Sequence, residues 1–148
     1  MREIMYALQF KGRGTPVAGS PNVINAATTA SSCTITSTVG PQGLSGSLRP
    51  SAEGQATFES TVTLTGESTF QESGTIAFGP GHRLRFTTVG QGHLGPSPQP
   101  GTMHGSVMWR VDGGEGQFAG AQGLITSNFT FTESGDVVDT HCGVLWVK

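Results

Sequence analysis

Charge is what this chain has least of. Asp, Glu, Lys and Arg make up 12% of 148 residues, and the formal net charge is -2, where about a quarter charged is usual for a soluble domain. With no basic run to neutralise phosphates, nucleic acid and anionic membrane surfaces are excluded as partners. So few charges on a sheet surface point to cover by neighbouring copies, hence a homo-oligomer. Cysteine is scarce: Cys33 and Cys142 are the only two, too few for a disulfide framework. No apolar run is long enough to cross a bilayer. The start, Met1-Arg2-Glu3-Ile4, lacks the apolar stretch of a secretion signal. A cytoplasmic location with free thiols is therefore expected. Helical periodicity is absent as well.

What is present is glycine, 23 residues of it with 8 prolines, punctuating segments of alternating polarity. Such alternation is the mark of half-buried strands rather than of disorder. It is plainest in Met103–Val147, where Met103–Val111, Leu124–Thr132 and Val137–Val147 alternate on either side of a glycine-rich reversal at 112–123 and a Ser134-Gly135 turn. Upstream, Gln55–Thr65 places Ala56, Phe58, Ser60, Val62 and Leu64 on one face and a row of threonines with Glu59 on the other. Glu67–Phe78 returns after Gly66, and His82–Val89 follows Gly79-Pro80-Gly81. Ile4–Phe10, Cys33–Val39 and Leu44–Leu48 read as further strands, with 49–54 a connection. Lys11–Ser31 and Gly90–Gly101 read as two long loops. One all-β domain over residues 1–148 is predicted, a closed antiparallel barrel or sandwich of about eight strands.

The pattern Gly114-x-Gly116-x-Phe118-x-Gly120-Ala121-x-Gly123, followed by a serine-containing strand and a last strand of small and β-branched residues, resembles the allene oxide cyclase-like barrel group, which includes small bacterial members of unknown function. The resemblance implies a closed eight-stranded barrel, a trimeric assembly, and an apolar cavity that shapes an oxygenated substrate. The inward face of the first strand offers Tyr6 and no acid, where the plant cyclases carry a carboxylate.

Polar residues set within apolar faces are the candidates for chemistry. Glu72 shares its face with Phe70, Gly74, Ile76 and Phe78; Asp139 and His141 lie two apart with Val137, Gly143, Leu145 and Val147; Tyr6 sits among Ile4, Leu8 and Phe10. Two carboxylates, an imidazole and a phenol turned into an apolar interior are the ingredients of general acid–base catalysis. Glu72, His141, Tyr6 and Asp139 are therefore the expected catalytic set, with Glu72 and His141 moving protons. Phe70, Phe86, Trp109, Ser127, Phe129 and Cys33 are the expected substrate walls. The glycines of 114–120 are not followed by a helix, so they mark a bulged hairpin and not a nucleotide site. The four histidines are dispersed, and no metal or cofactor is expected. The function expected first is a small-molecule isomerase or cyclase acting on an apolar substrate, oxygenated or not. A binding protein for a hydrophobic metabolite and a structural oligomer stay open beside it.

Overall fold

The computed structural model describes residues 1–148 and holds nine strands: β1 (Arg2–Val17), β2 (Ser20–Gly40), β3 (Gly43–Leu64), β4 (Thr69–Phe78), β5 (Arg83–Thr88), β6 (Gly92–Pro96), β7 (Thr102–Glu115), β8 (Gln122–Thr132) and β9 (Asp136–Val147). A single 3-10 turn, Gly116–Phe118, sits inside the glycine-rich reversal. Every pairing is antiparallel. Eight strands close a ring in the order β3-β2-β1-β9-β8-β7-β5-β4, with β4 paired back onto β3. The ninth, β6, pairs with both β4 and β7 and fills the gap where the short β5 stops. The seam joins the two chain ends, from Arg2 opposite Val147 to Arg13 opposite Asp136. No helix is long and apolar enough to cross a membrane.

Alternation turns one side chain in two toward the ring interior. Phe10, Phe58, Phe70, Ile76, Leu84, Phe86, Trp109, Ile125 and Leu145 are all buried there. The centre is aromatic. Phe58 lies 5.5 Å, ring centre to ring centre, from both Phe86 and Trp109, and Phe86 lies 4.3 Å from Trp109.

Of the two segments expected to be long loops, the first is almost wholly strand, and the second holds one short strand, Gly92–Pro96, between turns. Lys11–Ser31 forms the ends of β1 and β2 around a turn at Ala18-Gly19. Gly19, with φ 79°, makes that turn, but Gly12 is a packing position: a Cβ there would collide with the carbonyl of Ala27 and the Cα of Thr28 across the ladder. In Gly90–Gly101, tertiary pairing with β4 and β7 makes β6 out of a sequence of low strand propensity. The connection expected at 49–54 is likewise part of one continuous β3.

β2 and β3 outrun the ring. Beyond a bulge between Ser31 and Cys33 they pair only with each other, from Cys33 opposite Pro50 to Gly40 opposite Gly43. The result is a solvent-exposed two-stranded arm.

Candidate functional site

At the end of the ring bounded by the β1–β2, β3–β4 and β8–β9 turns, the core gives way to a cavity of about 370 Å³. That is the size ligand sites use, roughly 300–1,000 Å³. Ile24, Val62, Leu64, Phe70, Leu94 and Phe129 form apolar walls, while Phe58, Thr28, Glu72, Ser127 and Asp139 bring the polar groups and the aromatic floor.

Each polar group is placed by the register. Glu72 stands opposite Val62 on β3, and Ser60, one inward position along, donates from Oγ to Glu72 Oε2 at 2.5 Å. The Glu72 backbone N–H and carbonyl both bond Thr88 Oγ1, at 2.8 and 2.7 Å, which ties β4 to the end of β5. Asp139 stands between Phe10 on β1 and Phe129 on β8. Ser127 Oγ donates to its Oδ1 at 2.7 Å and His141 Nε2 donates to its Oδ2 at 2.9 Å. Both Asp139 oxygens are thus held, and the carboxylate cannot swing.

Glu72 and Asp139 are buried to within 8% and 6% exposure. Burial pushes the Glu72 carboxyl up to about 8; the Ser60 hydrogen bond opposes the rise, the negative charge of Asp139 adds to it, and Trp109 opposes it from close by. At neutral pH Glu72 is therefore a carboxylic acid with a proton to give. Burial, with help from the Asp139 and Cys142 charges, also pushes the Tyr6 phenol far above its ordinary value.

The Glu72 shift makes stability depend on pH. The folded chain keeps the proton up to about 8, whereas the unfolded chain loses it near the ordinary 4.5. The stabilisation is complete below the lower value and is lost as pH rises through the higher one. Wild type should be more stable toward denaturant at pH 5 than at pH 8.5, by on the order of 4 kcal/mol at most. In Glu72→Gln this slope should vanish. An unchanged slope in that variant would show that Glu72 is not the buried acid.

Of the residues expected from sequence, Glu72, Asp139, Phe70, Ser127 and Phe129 meet at this cavity. His141 does not reach it: the imidazole is fully buried, stacked on Phe10 at 4.3 Å and edge-on to Trp109 at 5.0 Å, with Nδ1 unpartnered. Its β9 position is one inward step further from the mouth than Asp139, so it supports that carboxylate from beneath. Phe86 and Trp109 lie deeper still, in the central aromatic packing. Tyr6 is further along β1; its ring covers Gly143, where a Cβ would collide with it, and meets Phe78 edge-on at 5.6 Å. Its hydroxyl is buried without a partner. Cys33 lies at the base of the arm, its Sγ 3.6 Å from the Ala7 carbonyl, at the opposite end from the cavity.

Sequence reasoning missed Ile24, Ala26, Thr28 and Leu94, because they fall in the segments read as loops. The alternation Ile24, Ala26, Thr28, Ala30 was the available signal, blurred by small side chains. Thr28 matters most: the residue lines the cavity, and its Oγ1 is buried and unpartnered. No group of three or more His, Cys, Asp or Glu side chains is arranged to hold a metal ion. On the outer wall, Arg110 bonds Asp112 at 2.9 Å and, with Thr87, holds that carboxyl below its ordinary range, a surface tie between β5 and β7. No family profile, curated protein or solved structure matches the chain.

Proposed function

We propose that the chain is an eight-stranded barrel, of the allene oxide cyclase-like kind, that binds a small, mostly apolar, oxygenated molecule and rearranges it by proton transfer. One observation carries this reading: two carboxyl groups in unlike settings, Glu72 bonded by Ser60 and pushed up by burial, and Asp139 held on both oxygens by Ser127 and His141, line the same apolar cavity. Two carboxyl groups in unlike environments are a natural acid and base. Glu72 gives its proton to a carbonyl oxygen as Asp139 takes one from the neighbouring carbon, forming an enol conjugated with a double bond; Asp139 then delivers its proton to another carbon of that system while Glu72 recovers its own from the enol oxygen, which restores both. The product is an isomer, with no net redox change and no cofactor required. His141, off the cavity lining, is a positioning residue that keeps Asp139 oriented. The unpartnered Thr28 Oγ1 offers a further hydrogen bond to the bound oxygen function.

A second reading is binding without turnover, favoured by the burial of the imidazole away from the cavity. Both are tested by incubating the protein in D2O with a panel of medium-chain enones, ketones and epoxides, read by mass spectrometry, beside displacement of an apolar fluorescent dye. Isomerisation with deuterium uptake at carbon is the expected result. Dye displacement with no exchange would leave the binding reading, and neither signal would sink both.

A further inference from the structure

We infer that the cavity takes uncharged, oxygen-bearing chains of medium length, oxygen end first, in preference to carboxylates and amines of the same length. This selection rests on the acid–base reading for its site and adds the class of substrate. Polarity in the cavity is graded by depth. Thr28, Glu72, Ser127 and Asp139 stand at the floor beside Phe58, and the register sets Thr28 directly opposite Phe58. Between floor and mouth the wall is apolar, with Ile24, Leu64, Phe70 and Leu94. A chain with one polar end therefore seats that end at the floor, where an apolar tail would leave buried polar groups unanswered. The volume of about 370 Å³ has room for on the order of a dozen non-hydrogen atoms, at the ~30 Å³ that a water takes in the liquid.

The spare hydrogen-bonding capacity at the floor is that of donors. Ser127 Oγ and His141 Nε2 already donate to the two oxygens of Asp139, and Ser60 Oγ donates to Glu72. What remains is the Thr28 hydroxyl, buried and without a partner, and the carboxyl proton that burial keeps on Glu72. Both suit an acceptor such as a carbonyl oxygen. An ammonium group has only donors to bring.

Charge excludes the anion. Three lining residues are acidic, Glu72 and Asp139 at the floor and Glu133 at the mouth, and none is Lys, Arg or His. Arg13 lies against the rim beside Gly135, but its guanidinium is engaged by the Asp136 carboxylate at 2.8 Å and by the Ser134 carbonyl. His141 is off the lining and bonded to Asp139. A carboxylate bound for the floor would first have to take up a proton, which at pH 7 weakens binding of an ordinary carboxylic acid by about a hundredfold or more. Turned outward, it would meet the like charge of Glu133 and give up the floor.

The test is isothermal titration calorimetry on the full chain at pH 7 with methyl hexyl ketone, methyl heptanoate, octanoate and octylamine, which have equal carbon counts. The ketone and the ester should bind, and octanoate and octylamine should each bind at least tenfold more weakly than the ketone. A smaller gap for either, or no binding of the ketone, would overturn the inference. Thr28→Val, checked for folding by circular dichroism, should weaken the ketone by about three- to tenfold, the share of one neutral hydrogen bond; an unchanged affinity would overturn the oxygen-first seating. Glu133→Lys should narrow the gap between octanoate and ketone at least threefold, and an unchanged gap would overturn charge as its cause. These readouts need no turnover. The expected ranking without deuterium uptake removes the reaction and keeps the selection, while uptake with octanoate bound as tightly as the ketone removes the selection and keeps the reaction.

Discussion

Glu72→Gln should lower turnover of any rearranged substrate by about a hundredfold or more, which is what loss of one general acid commonly costs. The amide keeps the shape of the carboxyl, and its oxygen can still accept from Ser60, so dye and substrate affinity should stay within a few-fold. What it cannot do is give up a proton. In wild type the same logic sets the high-pH limb: kcat/KM should fall as pH rises past about 8, where Glu72 ionises. That limb should be missing from whatever activity the glutamine variant retains. Turnover that survives the substitution within a factor of three would remove Glu72 from the chemistry. If the chain only binds, there is no turnover to lose and the variant shows at most a modest change in affinity.

Phe58→Ala should be the most damaging single truncation. The ring is almost wholly buried, stacked on Phe86 and Trp109, tilted against Phe10 at 6.0 Å and edge-on to His141 at 5.4 Å. Its removal leaves a void that four surrounding rings cannot close without losing their own contacts, so the cost should be about 3–5 kcal/mol. That is a large part of the roughly 5–15 kcal/mol that holds a domain of this kind folded. The thermal midpoint should drop by roughly 10 °C or more. Phe58 also lines the cavity floor, so any folded fraction should accept bulkier ligands than wild type. A loss below about 1 kcal/mol would mean that the rings do not pack as described.

Much of this architecture could be read from residue order alone, and the part that could not has a physical cause. Where alternate positions carry large side chains, as in Ala56–Leu64 or Val137–Val147, the inside face was evident, and with it the inward placement of Glu72 and Asp139. Where the inside face is small, as at Gly12, Gly14, Ala26 and Thr28, alternation fades and glycine mimics a turn. Small residues stand there because backbones cross closely or because a cavity needs room, so the site's own wall was the least legible region. His141 marks a different limit. Sharing a face with Asp139 places it inside the ring, but periodicity carries no information on depth, and depth decides which of the two meets a ligand.

The seam between β1 and β9 has a consequence for how the chain acquires its shape. Its ladder couples residues 2–13 to residues 136–147, nearly the longest sequence separation available. The other ring pairings join strands much closer along the chain, and all but β5–β7 can zip up in sequence as hairpins. Closure therefore waits until the final strand has left the ribosome. Until then β1 and β8 present bare edges, the condition in which sheets capture the wrong neighbour. Contacts of such high order make folding slow, on the scale of milliseconds to seconds. The nascent chain must be guarded longest at β1.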